Sequence, residues 1–183
     1  SVSVKVSGLF DDNPSVKELN GTPVLGKYIG QCLDAGLIIS IGDNNIRARI
    51  ATQLQVQYGK AIAESATISA SADIEEGTVV MQGAVIQAST QVGKHAIINT
   101  RASIDHDCRV GNFAHVSPGA VLCGNVQVGE GTHIGAGAIV LPNLKIGKWC
   151  KIGAGAVVIR DISDYSTAVG NPARIIKCNN NEQ

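Results

Sequence analysis

The chain has 183 residues, and its 15 Lys and Arg are matched by 15 Asp and Glu, so the formal net charge is zero. That balance excludes the basic footprint of a nucleic-acid binder, and no apolar run is long enough for a membrane span. Only 3% of residues are aromatic, which disfavours a broad globular core.

Residues 1–58 form one grammatical unit. Residues 6–10 read as a strand that ends in the turn cluster Asp11-Asp12-Asn13-Pro14. Residues 37–41 form a short apolar run, read as a buried parallel strand, followed by Gly42-Asp43-Asn44. Asp43 or Asn44 can cap a helix over residues 45–58, with Ile46, Ile50 and Leu54 at helical spacing. The expectation is a small Rossmann-like α/β domain over 1–58. It is expected to be incomplete, because the opening strand and Gly-rich turn of a doubly wound sheet are not read ahead of it in the sequence from Ser1.

From Ile62 to Val158 every sixth residue is aliphatic, through Ile68, Ile74, Val80 and onward without a miss. Neither a helix nor a half-buried strand has that period. A hexapeptide repeat is the signature of a parallel β-helix. Four residues after each aliphatic comes a mostly small side chain, such as Ala66, Ala84, Ala102 or Ala120. Cys108 and Cys150 fall in this register and read as core packing. Val92-Gly93, Val110-Gly111, Val128-Gly129 and Ile146-Gly147 recur every eighteen residues. Glycine at these points is expected to supply positive φ at tight corners. Eighteen residues per coil make three hexads per coil, hence a triangular prism of nearly six coils over 59–163. Residues 164–183 read as a cap with a disordered tail from 179. The five cysteines contain no CxxC pair, and no secretory leader is read; a reduced, cytoplasmic setting is expected.

Several segments in order resemble the NeuD/PglD-like sugar O- and N-acyltransferases. They are Phe10-Asp11-Asp12-Asn13, Ile41-Gly42-Asp43-Asn44, Ile98-Asn99-Thr100, Ile104-Asp105-His106-Asp107-Cys108, Asn112-Phe113-Ala114-His115, Leu141-Pro142-Asn143 and Val169-Gly170-Asn171-Pro172-Ala173. The resemblance implies a left-handed β-helix, because handedness is not written in the hexad itself. It implies transfer of acetyl from acetyl-CoA, as co-substrate, to a UDP-type nucleotide-linked amino sugar in bacterial surface-glycan or glycoprotein-glycan synthesis. O-acetylation of sialic acid or another sugar is the alternative within the family, and a non-catalytic hexapeptide scaffold is the alternative outside it.

The same resemblance assigns roles. His106 is the general base and Asp107 its partner; His115, Gly124, Ala136 and Ala154 line the CoA channel; Asp11, Asp12, Gly42 and Asn99 meet the acceptor. From the residues alone, His106 lies two places past an inward aliphatic and points outward, and either Asp105 or Asp107 can orient it. His115 faces outward too, one coil below His133, while His133 and His95 read as solvated surface. No metal is expected: a zinc centre shared between chains asks for a His-x4-His pair, which His106, His115 and His133 do not supply. The partners expected are acetyl-CoA, the sugar nucleotide and two further copies of the chain in a homotrimer, with neither nucleic acid nor membrane span. His106 and His115 are nine residues apart, half a coil, so one active site is expected to combine His106 of one chain with His115 of its neighbour.

Overall fold

The computed structural model describes residues 6–31 and 34–178, and its chain divides into two compact units, Ser1–Ala35 and Gly36–Gln183. The expected disordered tail, residues 179–183, lies outside the described residues.

In the first unit, Glu18–Leu19 and Thr22–Pro23 form a two-residue antiparallel hairpin. Asn20 and Gly21 between them both have positive φ, 50° and 77°, the backbone twist that joins such strands tightly. Residues 6–10 do not form the expected strand. Leu9 bridges only to Val24, bonding on one side through Leu9 N to Pro23 O and Leu25 N to Leu9 O.

The second unit opens with residues 37–41, which also fall short of a regular strand: a single bridge joins Leu37 to Tyr58. The helix that follows, α1 (Asn44–Gln53), is capped by Asp43, whose side chain accepts from the Ile46 N–H. It ends five residues before the expected limit. Its buried side is also not the apolar one: Asn44 and Arg47 are buried, whereas Ile46 is 39% exposed. Polar contacts, not an apolar stripe, fix this helix.

Two-residue strands then follow every six residues from Ala61–Ile62 to Val157–Val158. From Ala61–Ile62 to Ile139–Val140 each pairs in parallel with the strand eighteen residues on, as Ser103–Ile104 does with Val121–Leu122. The result is a three-sided parallel solenoid. An 8-stranded sheet includes Ile97–Ile98, His115–Val116, His133–Ile134 and Lys151–Ile152; we call it the histidine face. A 6-stranded sheet, the aliphatic face, presents Val85, Val121, Ile139 and Val157 outward. A 5-stranded sheet, the polar face, presents Asp73, Gln91, Arg109, Gln127 and Lys145.

The sixth-residue aliphatics fill the axis: Ile86, Ile98, Ile104, Val116, Leu122, Ile134, Val140 and Val158 are fully buried. Each contributes about 1.5–3 kcal/mol by leaving water, so this column replaces the aromatic core the chain lacks. Ile62, in the first coil, departs from the pattern at 41% exposure because no coil lies beneath it. Cys108 and Cys150 are buried in the small register. Buried threonines there keep their hydroxyls satisfied by bridging coils: Thr90 Oγ1 donates to Asp105 O and accepts from Cys108 N, and Thr132 does the same with Gly147 and Cys150. At the far end Asp161 and Asp164 accept from the backbone N–H groups of Lys145 and Lys148. Ser166–Val169 and antiparallel Arg174–Cys178 then extend the histidine face.

The recurring glycines are explained differently from expectation. Gly93, Gly111, Gly129 and Gly147 do not have positive φ; two residues on, His95, Phe113, Gly131 and Trp149 do, at 53–65°. The glycines are required because a Cβ would strike the next coil. At Gly129 it would sit 2.5 Å from the Gly147 carbonyl carbon. At Gly137, by contrast, φ is +64° and a Cβ meets open space. Gly129→Ala is therefore expected to cost about 1–3 kcal/mol or more through overpacking against rigid backbone. Gly137→Ala should cost about 1 kcal/mol, from left-handed strain alone. Chemical denaturation of the two variants checks the order; equal losses would refute the clash argument.

Candidate active site

His106 sits where the aliphatic face turns into the polar face, between Ser103–Ile104 and Arg109–Val110. Asp107 adopts φ 59°, a left-handed conformation that Asp tolerates better than most residues. Its Oδ2 lies 2.7 Å from His106 Nδ1. Asp105 takes a different part: its Oδ1 accepts from the His106 backbone N–H at 2.8 Å. Both carboxylates bear on the ring, which is 59% exposed. The Asp107 hydrogen bond, followed by the charge of Asp105, holds the imidazole pKa above its ordinary value.

With Nδ1–H donated to Asp107, the lone pair of Nε2 is free to accept a proton. Gly124, one coil on, lies directly against that nitrogen. A Cβ there would be 2.8 Å from Nε2 and 2.8 Å from Cε1, so the absent side chain makes room for the ring and for whatever meets it.

A second cluster forms on the histidine face. His115 and His133 are partners in register and stack with ring centroids 4.8 Å apart and planes 1° from parallel. Asn99 Oδ1 accepts from the Thr100 N–H, which turns its amide nitrogen toward His115 Nε2, 3.1 Å away. That nitrogen is then the acceptor, and the proton of neutral His115 resides on Nδ1. Nδ1 is enclosed and completes no hydrogen bond. The Gly42 backbone is near enough to favour its protonation, although not in the geometry of a hydrogen bond. Burial dominates, with the charges of His133 and Arg47 adding to it, and His115 is lowered to about 4.

His133 and His95, expected at the solvated surface, are not there. His133 is half-buried with Ser117 Oγ 2.7 Å from its Nε2. His95 is 5% exposed, stacked on Phe113 and edge-on to Tyr58. The eighteen-residue step from His115 was the available signal for His133. Nothing in the helical pattern marked Arg47, whose buried guanidinium lies close enough to lower His95, His115 and His133 alike.

The remaining predicted residues fall as follows. Gly42 and Asn99 join His115. Ala136 and Ala154 are exposed and stacked at the edge between the histidine and aliphatic faces, tied by Gly155 N to Ala136 O. In the first unit, Asp11 Oδ1 closes its own turn by accepting from Asn13 N, and Asp12 pairs with Lys27 at 3.5 Å on the surface. A groove of about 970 Å³ runs along the polar face past Gln91, Arg109 and Lys145; His106 and His115 do not line it. Within one chain His106 stands on the edge opposite the histidine face, so the two clusters are not brought together. Among the described residues, no three His, Cys, Asp or Glu side chains gather as a metal site, and no helix is long and apolar enough to cross a membrane.

Comparison with known proteins bears on both clusters. The PglD N-terminal domain matches residues 2–54, and the bacterial transferase hexapeptide family matches residues 107–140 and 125–160. The acetyltransferase domain of PglB from Neisseria gonorrhoeae FA1090 is 37% identical, with a TM-score of 0.85 over 92% of this chain and 86% of that one. It has also been solved in complex with acetyl coenzyme A. PerB from Caulobacter crescentus, solved with CoA and GDP-perosamine, is 37% identical, with a TM-score of 0.82 over 88% and 82%. WeeI from Acinetobacter baumannii AYE is 30% identical, with a TM-score of 0.85 over 92% and 85%. No curated protein matches the chain significantly.

The two histidine environments predict opposite titrations. In an NMR titration His106 should protonate above 6.5 and His115 near 4. Because His115 binds its proton more weakly folded than unfolded, the stability it contributes at neutral pH is lost as pH falls from about 6.5 to about 4. Replacing His115 by Gln should flatten the fall in Tm across that window. An unchanged slope would remove His115 from the acid response.

Proposed function

The chain belongs to the NeuD/PglD-like sugar acetyltransferases, and on that premise we propose that it acetylates the amino group of a nucleotide-linked amino sugar with acetyl-CoA. The observation that carries this reading is the exposed His106–Asp107 pair beside the bare backbone of Gly124. As the sugar amine attacks the thioester carbonyl, its nitrogen must shed a proton. His106 Nε2 takes it, and Asp107 stabilises the imidazolium that results. The tetrahedral intermediate collapses by breaking the C–S bond, and the sulfur leaves as the CoA thiol with the proton that His106 returns.

The other roles are proposals of the same reading. His115, Gly124, Ala136 and Ala154 line the path of CoA, with small residues permitting close approach to backbone. Asn99, Gly42, Asp11 and Asp12 meet the acceptor, taken as UDP-linked. GDP-linked sugars belong in the same panel because PerB was solved with GDP-perosamine. A cytoplasmic setting is part of the same reading, and the working assembly in it is a homotrimer. Two facts support it: His106 and His115 lie on opposite sides of one prism, and the aliphatic face exposes Ile139 at 37%, flanked by Leu141 and Ile159 at 39% and 41%. A neighbour packed there covers that surface and brings its own His115 toward His106.

His106→Ala should lower kcat by roughly 10²–10⁴, the ordinary worth of a general base, while acetyl-CoA still binds. The rate should rise with pH through the elevated pKa of His106 and then level. Asp107→Asn should move that limb to lower pH, since the largest cause of the elevation is gone. Near wild-type turnover in His106→Ala would sink the catalytic assignment, and a wild type with no transferase activity would favour a scaffold role. Acetylation of sialic acid hydroxyls, with amino sugars untouched, would redirect the substrate. Sedimentation that finds a fully active monomer would remove the shared site.

A further inference from the structure

We propose that Arg47 is a positioning residue for the acceptor sugar: it fastens the turn of Ile41, Gly42 and Asp43 to the solenoid and so sets that turn against His115. The proposal rests on the reading above, in which Gly42 meets the acceptor. It concerns a side chain that contacts neither of the reacting groups.

Arg47 is 1% exposed, and among the described residues no carboxylate forms an ion pair with it; the charge of Asp43 acts on it only from a distance. Its guanidinium bonds five neutral oxygens. Nε donates to His95 O at 2.8 Å and Nη2 to Phe113 O at 2.8 Å. Nη1 donates to Ile41 O at 2.8 Å and Gly42 O at 3.3 Å, and Nη2 also reaches Asn44 Oδ1 at 2.8 Å. Two acceptors are therefore on successive coils of the solenoid and two are in the turn. Asn44 continues the series, donating from Nδ2 to Gly131 O, on the coil after Phe113. His95, Phe113 and Gly131 are the left-handed corner residues of three consecutive coils. Helix α1 thus begins by reading three rungs of one corner.

Burying a cation without a direct ion pair is costly, about several kcal/mol for an ion removed from water, and the cost shows in the pKa, lowered to about 10 by burial against the opposing charge of Asp43. An apolar stripe would attach a helix more cheaply, but Ile46 of α1 stays exposed while Asn44 and Arg47 are buried. What the guanidinium supplies and a hydrocarbon does not is a planar fork that fixes direction. Its two ends hold the turn and the corner at set separations. The Gly42 backbone is then held near enough to influence His115 Nδ1. A lysine, with donors radiating from one atom, cannot span all these oxygens.

The test is steady-state kinetics of wild type, Arg47→Lys and Arg47→Met with a nucleotide-linked amino sugar and acetyl-CoA, below each variant's Tm. Val158→Ala, a core truncation remote from the turn, controls for simple destabilisation. We expect Arg47→Met to raise the acceptor KM by roughly 10-fold or more, with acetyl-CoA KM within about 2-fold. Arg47→Lys should fall between it and wild type, and Val158→Ala should lose Tm without moving either KM. If Arg47→Met does not fold, a several-fold rise in acceptor KM alone in Arg47→Lys carries the point. Loss of Tm with the acceptor KM unmoved, or both KM values moving together, reduces Arg47 to a scaffold group. A wild type that acetylates no amino sugar overturns the functional reading, and this inference with it; an active wild type insensitive to Arg47 overturns this inference alone.

Discussion

A side chain in this solenoid meets the residue eighteen positions away, and nearly everything else follows from that constraint. It stacks the aliphatic column along the axis, lets Thr90 and Thr132 bridge coils with their hydroxyls, and lays His133 over His115. It also decides which positions have no room for a side chain. Gly124 is bare because the His106 ring occupies its Cβ site, and Gly129 is bare because the Gly147 backbone does. Ring against glycine recurs in the opposite order at another corner, where a Cβ on Gly131 would enter the indole of Trp149 on the coil above.

That vertical logic separates what was legible in the sequence from what was not. The period of six was unmistakable because every coil obeys the same narrow interior, so the solenoid could be read from one register. His106 and Asp107 were legible through adjacency: a histidine flanked by carboxylates on an outward turn needs no tertiary knowledge. The choice of Asp107 over Asp105 as ring partner was not, since it depends on the left-handed backbone at 107. The glycines were placed correctly and explained wrongly, because a clash with the next coil is invisible to a local reading. The helix misled for a related reason. Ile46, Ile50 and Leu54 look like its inner side, but the oxygens that Arg47 and Asn44 seek come from coils some fifty to ninety residues away, and no local pattern reports them.

The same fold sets two histidines to opposite ends of their range. His106 stands in solvent between two carboxylates, which favour its charged form; His115 lies under a turn, against another imidazole and within reach of a guanidinium, which oppose it. One is fit to exchange a proton near neutrality. The other keeps its proton on a chosen nitrogen and stays uncharged across the same range, which suits it to orient rather than to react.

The column of glycines also restricts how such a chain can change length. An extra or missing residue that is not looped out at a corner would turn every later inward aliphatic toward solvent and put a side chain where Gly129 or Gly147 must be bare. A shift of six would restore the aliphatics but carry His133 away from His115 onto another face. Only a change of eighteen preserves every column. The solenoid therefore lengthens in whole coils of about 4.8 Å, a ruler with one graduation, and any ligand stretched along it is measured in those steps.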